Sequence, residues 1–524
     1  MIDLEGEDDV LWEDDDDALE MARAAYSNST TYFDSSVRKV LEEDLRRFKG
    51  LHPPGSKYLS ETYRARSRLF RPKTRSAIRK NEAVASEAFF STVDVVSVAP
   101  TDDADPVQRA SADVLKAVMQ YRLTKSMPWF MTLLGAYQEA QNVGVVISRQ
   151  DWVFDPMRKI DRPEVTLIAP ENFRFDPAAS WVDPINTSPY LIEMMPMYLK
   201  DVRKRMRPNP KSNQPPWVEI EDKALTTAAK KMADSMTLLR DEPGVARTDQ
   251  PSDISDYSLV WVHRNIVEHE GIDWMFYTLA TEHLLSKPEP LMVAYAHGRR
   301  PYVMGYSQIE AHRLYPGGPN RLGKDVQQEI NEIANQRIDN VKFAMNKRYF
   351  VQRGRQVDIR SLQRNTPGSV TLMNDPYKDV NIVSTPDVTS SSYAEQDRLN
   401  VDFDEVVGSF SGSSVATNRK LNETVGGMQL ITASTNQIAA YQLMTFVQTW
   451  VENTLRQVAL LIQEYETDEV VLAQAARKAN LFERFGNDVV VDELLRQELT
   501  VNIDVGMGAT NPAAKVQNIM TGVN

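Results

Sequence analysis

Cysteine is absent from the chain, which excludes disulfides, thiolate nucleophiles and cysteine-based zinc sites, and leaves nothing that points to an oxidising compartment. Long apolar runs are missing too. No stretch approaches about 18 consecutive apolar residues, and the first residues are acidic rather than a basic region leading into an apolar one, so neither a membrane span nor a secretory signal is expected. Histidine is scarce: His52, His263, His269, His283, His297 and His312 form no His-x-x-x-His or Glu-flanked metal pattern. Lone histidines in aromatic strand regions are core or surface residues. No Gly-x-Ser-x-Gly elbow occurs either. No catalytic residue, metal site or cofactor is therefore expected.

What is present is the composition of a soluble folded protein: 524 residues, 42% apolar and 25% charged, enough for about two to four domains. The net charge of −13 is unevenly placed. Residues 1–20 hold eleven acids and no base, so removing them from −13 leaves −2 for the other 504 residues. Such a block of like charge reads as a solvated, flexible tail over residues 1–30. Basic residues cluster as well: residues 56–80 carry nine Lys or Arg against Glu61 alone, and residues 337–364 carry eight against Asp339 and Asp358. Each is a candidate surface for a polyanion, or one half of salt bridges to neighbouring subunits or domains.

Periodicity gives the order of elements. Residues 34–49 place Val37, Val40, Leu41, Leu45 and Phe48 at helical spacing, and 127–143 reads as a more buried helix. The runs 144–154 and 163–175 are β-branched and aromatic and read as strands; 257–286 alternates as an antiparallel meander. Between them, 196–255 is a polar, proline-containing excursion with one helix expected near 221–239. From Leu322 to Met345 one apolar stripe (Leu322, Val326, Ile330, Ile333, Ala334, Ile338, Val341, Met345) runs along an otherwise polar helix of about 36 Å. That face is too narrow for a core helix and calls for similar helices on its flanks. Short strand-like pieces with turns at Gly354, Pro367-Gly368 and Pro376 follow, and a second helix is expected to open with the capping box Ser392-x-x-Glu395 and stop at Gly408. Residues 408–427 read as a flexible loop with Arg419 and Lys420 near its middle, ahead of a long helix over 428–465 that sets Leu443, Val447, Trp450, Val451, Leu455, Val458 and Ile462 on one side.

One stretch imitates a nucleotide site. Gly318, Gly323 and Lys324 match the P-loop spacing, but Asp325 stands where a Ser or Thr hydroxyl should hold Mg²⁺. A carboxylate there would repel phosphates. At the start of a helix, by contrast, an Asp is favoured by the helix dipole.

The succession of long helix, small β insert, second helix, loop and long helix resembles the portal (head-to-tail connector) proteins of tailed bacteriophages. The resemblance spans roughly residues 60–515 and rests on RLFRPKTRSAIRK, on IAPENFRFDPAASWVDPINTSPYLIEMMP, on residues 300–354, on NTPGSVTLMN and on NETVGGMQLITASTNQIAAYQ. It implies an α+β ring subunit: an acidic tail (1–30), an α/β wing (31–321), stem helix 1 (322–346), a small β-containing clip (347–387), stem helix 2 (388–407), a mobile channel or tunnel loop (408–427), a long wing helix (428–465) and a C-terminal wing or crown region (466–524). About twelve copies would close around double-stranded DNA at a capsid vertex of the virion, after assembly in the host cytoplasm. Implied partners are the terminase large subunit, a head-completion or tail adaptor protein, and the major capsid and scaffolding proteins. Arg419, Lys420, Lys324, Arg337 and Lys342 are the candidate channel residues, and Arg353, Arg355, Arg360 and Arg364 the candidate clip or docking residues. Two other classes compete: another phage structural ring, such as a tail or baseplate component, and a P-loop motor subunit. The motor requires a strand leading into the loop and a second strand ending in an acid, and neither is expected from the sequence.

Overall fold

The computed structural model describes residues 12, 15–90, 96–100, 105–207, 216–229, 240, 256–345, 348–354, 356–364, 370–375, 377–383, 389–408, 438, 440–481, 491–496 and 502–504. The chain divides into two compact units, one of residues 1–45, 78–321 and 437–524, the other of residues 46–77 and 322–436. No described helix is long and apolar enough to cross a membrane.

In the larger unit, the short strand β1 (Ser97–Ala99) pairs antiparallel with residues Asn502–Asp504, and β2 (Val145–Asp155) lies between β3 (Ile160–Ile168) and β10 (Tyr302–Tyr306), all antiparallel. A second antiparallel sheet runs β4 (Phe173–Phe175), β5 (Tyr190–Tyr198), β6 (Leu259–His269), β7 (Ile272–Leu279) and β8 (His283–Leu284), with β9 (Glu289–Pro290) also on β7. Helices and antiparallel sheets together make the α+β class expected from the sequence. The strand expectations for 144–154 and 257–286 hold, whereas β5 and β10 carry no alternation that marks them in advance. Both are almost wholly apolar, and buried strands lose the polar-out signal.

Between the two sheets lies a polar network. Arg149 donates to Glu193 and, at 2.5 Å, to Asp151; Tyr302 donates to Glu193 at 2.9 Å; Tyr295 donates to Asp151 and accepts from Arg264. Burial of Asp151 favours its neutral form, but Arg264 and Arg149 outweigh that and hold its carboxyl below the usual range. Two guanidinium groups face two carboxylates, so the charges compensate.

The long helix ahead of residue 465 supplies the main core. Leu443, Phe446, Val447, Trp450, Val451, Leu455, Val458 and Ile462 are all buried with Leu115, Met119, Leu133 and Tyr137 of the helices Pro106–Tyr121 and Trp129–Val143. Gly305 of β10 admits this helix: a Cβ there would lie 2.3 Å from Trp450 Cβ. A π turn at Val447–Val451 presses against the strand, with the Tyr306 N–H donating to Thr449 Oγ1 at 3.0 Å and Trp450 Nε1 to Ser148 Oγ at 2.9 Å.

Two expectations need correction. The acidic tail does not extend to residue 30, because Asp15–Tyr32 forms a helix. Ala18, Ala22 and Ala25 form a small-residue stripe buried against Tyr190, Ile192, Val267 and Phe276 of the larger sheet, while Asp16, Asp17 and Glu20 stay outside. Net charge hid a helix whose inner face is alanine. The second correction concerns the capping box alone: the helix runs from Thr389 to Val407, close to the span 388–407, and so begins ahead of Ser392. In the excursion, helix Asp222–Ala229 is described and residues 230–239 of the expected helix lie outside the described residues.

Candidate functional site

The smaller unit holds the helices from which channel and docking residues were expected. The first long helix spans Lys324–Met345 and pairs antiparallel with Thr389–Val407: Gly323 meets Phe403 and Val407, whereas the Arg337 guanidinium lies 4.3 Å from the centre of the Tyr393 ring. The apolar seam is short. Ala77, Ile330, Leu399, Phe403 and Val407 are buried, with Val326 and Ile333 partly so, and at the ends of the stripe Leu322, Val341 and Met345 remain exposed. A Cβ on Gly323 would sit 2.7 Å from the Phe403 ring, so glycine here sets the distance between helices.

The opposite face carries the larger surprise. Gln327, Asn331, Asn335 and Asp339 recur every fourth residue, and all four hold residues 67–74, an extended segment that enters a helix at Lys73. The backbone N–H groups of Ser67, Leu69, Arg71 and Thr74 donate to Asp339 Oδ1 (2.9 Å), Asn335 Oδ1 (2.7 Å), Asn331 Oδ1 (2.8 Å) and Gln327 Oε1 (3.1 Å). Asn335 Nδ2 returns a bond to Leu69 O at 2.8 Å and Gln327 Nε2 one to Arg71 O at 2.6 Å. From Ser67 to Arg71 the registers match for a geometric reason: four helical residues rise about 6 Å, and two extended residues span about 6.6 Å; the last step, Arg71 to Thr74, takes three residues because the segment turns helical at Lys73. A polar helix face thus acts toward the strap as a neighbouring strand would, satisfying buried backbone groups that lack a sheet. Lys342 Nζ on Ser67 Oγ (2.7 Å), Lys57 Nζ on Glu332 (2.5 Å) and Lys73 Nζ on the buried Asp404 (3.2 Å) add charge-assisted ties.

This strap is the first basic block of the sequence. Its backbone is committed to the helix, but Arg64, Arg66, Arg68 and Arg75 remain exposed. The spacing Gln-x-x-x-Asn-x-x-x-Asn-x-x-x-Asp in the sequence was the signal for the ladder; an apolar-stripe count overlooks it, since it scores amides as solvent-facing.

The candidate channel residues separate. Lys324 is exposed at the start of the first long helix. Arg337 is corrected: it is 8% exposed, stacked on Tyr393, and offers no open face in this chain. Lys342 serves the strap, with its side chain still half exposed. Arg419 and Lys420, with the rest of 409–427, lie outside the described residues.

Between the helices, β11 (Arg348–Val351) pairs antiparallel with β12 (Val380–Val383), and Ile359–Arg364 forms a short helix whose first turn is capped by Asp358, accepting from Arg360 N and Ser361 N. Arg353 and Arg360 are exposed there; Arg355 is outside the described residues, and Arg364 is described in its backbone alone. Around them Phe350, Ile359, Val370, Leu372, Tyr377 and Ile382 are each more than half exposed. An exposed apolar group of this size on a small insert marks a contact surface.

The near-Walker loop is closed to phosphate. In the larger unit, β10 does precede it, contrary to expectation, but ends twelve residues before Gly318. Gly317, Gly318, Pro319 and Asn320 are buried. A Cβ on Gly318 would lie 2.7 Å from Gln141 O, and the Gly317 N–H already donates to the Glu310 carboxylate at 3.0 Å. Asn320 and Arg321 are tied to Asp44, at 2.7 Å to its carbonyl and 2.9 Å to its carboxylate. Backbone donors that a phosphate would need are enclosed beside an acid. Among the described residues no group of three His, Asp or Glu side chains could hold a metal ion.

A family model described as phage SU10 portal protein matches residues 156–523. A search of curated proteins found no match.

Proposed function

Because the chain belongs to the phage SU10 portal protein family, whose members are structural rather than catalytic, we propose that it assembles as a homo-oligomeric ring, about twelve copies, at one capsid vertex of the virion. The ring is the channel for double-stranded DNA during packaging and ejection. The family match over residues 156–523 carries this reading. The paired long helices act as the stem, residues 347–387 as the clip, and 408–427 as the channel loop.

Exposed Lys324, with Arg419 and Lys420, makes weak phosphate contacts: each tightly neutralised phosphate would strengthen attachment and oppose sliding. The β insert, with Arg353 and Arg360 exposed among apolar side chains, and with Arg355 and Arg364, docks the terminase large subunit and the adaptor. Capsid and scaffolding proteins contact the remainder of the ring. Native mass spectrometry with negative-stain microscopy of the purified protein tests this. The expected outcome is a closed ring with an axial hole; a protein that stays monomeric across concentrations would sink the proposal.

A further inference from the structure

Four exposed arginines, Arg64, Arg66, Arg68 and Arg75, stand on or beside the strap that the amide ladder fixes to the first long helix. Little of their own unit neutralises them. Arg64 lies 3.8 Å from Glu61 with both side chains more than three-quarters exposed, Arg66 rests over Tyr63 and Arg75 over Phe48, and Arg68 has no acidic partner among the described residues. The nearby acids are already engaged, Asp339 by Ser67 N, Glu332 by Lys57 and Asp404 by Lys73. Exposed Leu69 falls between Arg68 and Arg75 along the chain.

We propose that this arginine row is the docking surface for the acidic amino-terminal segment of a second copy of the chain. The segment has the complementary pattern. Residues 1–14 (MIDLEGEDDVLWED) hold seven carboxylates and no base, interleaved with Ile2, Leu4, Val10 and Leu11. Trp12 is packed against His269 and Trp274 in the larger unit, so residues 1–11 start from a fixed point and reach up to roughly 36–40 Å when extended. Guanidinium groups pair with carboxylates in bidentate geometry, and a backbone already ordered by the ladder lowers the cost of binding.

A nucleic acid would also recognise arginine, but the observations favour the protein segment. Every copy carries both surfaces in equal number, and within an assembly the segment is present at high effective concentration. It would also repel a duplex approaching the row. The inference rests on the self-association proposed above.

The test uses the full chain lacking residues 2–11 and a fluorescent peptide of residues 1–14. Anisotropy should show saturable binding that weakens with salt, and the Arg66→Ser/Arg68→Ser double variant should bind on the order of tenfold more weakly, as expected on losing two charge-assisted contacts. A peptide with its acids changed to Asn and Gln should not bind. Unchanged hydrogen-exchange protection at residues 67–74 in the double variant shows that the strap is intact. No peptide binding, binding indifferent to the two arginines, or a DNA duplex that occupies the row and is not displaced by the peptide would each overturn the proposal. Native mass spectrometry of the same samples separates the two readings: rings without peptide binding sink the docking surface alone, and peptide binding to a permanent monomer sinks the ring alone.

Discussion

Asn335 shows how much a single polar side chain can carry here. Its amide accepts from Leu69 N–H, donates to Leu69 C=O and also donates to Asn331 C=O. Its own side chain is 3% exposed. Asn335→Ala removes the partners of the part-buried N–H and C=O of Leu69, with about 1–3 kcal/mol per group as the upper bound that full burial would give. Hydrogen exchange at residues 67–71 should accelerate by at least an order of magnitude; unchanged protection would show that the ladder is incidental. Close by, His52 stacks on Tyr58 and its Nε2 lies 3.3 Å from Arg68 O. Burial pushes its pKa below the usual 6.5, with the bond to Arg68 opposing. The unfolded chain therefore takes up a proton first as pH falls, so this residue's contribution is fully present above 6.5 and is lost progressively below it. Exchange at Leu69 and Arg71, corrected for the intrinsic rate, should rise on going from about pH 7.5 to 5.5 more in the parent chain than in His52→Phe.

At the scale of elements, the first long helix is gripped on two sides by different chemistry. Apolar packing against Phe403 and Leu399 holds one face; amides clamped on a strap hold another. The residues that imitate a P-loop serve packing: Gly323 lets the helices approach and Asp325 sits in the first turn of the helix, while within the larger unit Gly318 lets the turn pass close to Gln141. Asp325→Ser would complete the P-loop consensus while leaving Gly317 and Gly318 buried. Nucleotide binding should stay absent by isothermal titration with Mg-ATP, and saturable binding would contradict this account of the loop. The helix Asp15–Tyr32 makes the same point from the acidic side, since three aspartates in a row at its start, Asp15 to Asp17, are compatible with helix formation when the inward stripe is Ala18, Ala22 and Ala25.

At the scale of the whole molecule, the proposed ring separates assembly from DNA handling. Deleting residues 411–424 should leave rings intact under native mass spectrometry while lowering packaged genome content; normal virion yield and genome length would remove the channel role from this loop. Much of this architecture was legible in the chain. Burial of Leu443, Val447, Trp450, Val451, Leu455, Val458 and Ile462 follows from their spacing, because a helix can hide only one stripe. The absence of cysteine, the charge asymmetry and the strand runs at 144–154 and 257–286 are likewise properties of local sequence. The polar contacts were not legible in this way. Whether Arg337 faces water or the Tyr393 ring, and whether Asn331 and Asn335 are solvated or bonded to residues 69 and 71, depends on segments more than 50 residues distant along the chain. Apolar periodicity is a local property that needs only one buried face, so the sequence determined it alone; a buried amide or guanidinium needs a particular partner at hydrogen-bond distance, and only the tertiary structure could supply one.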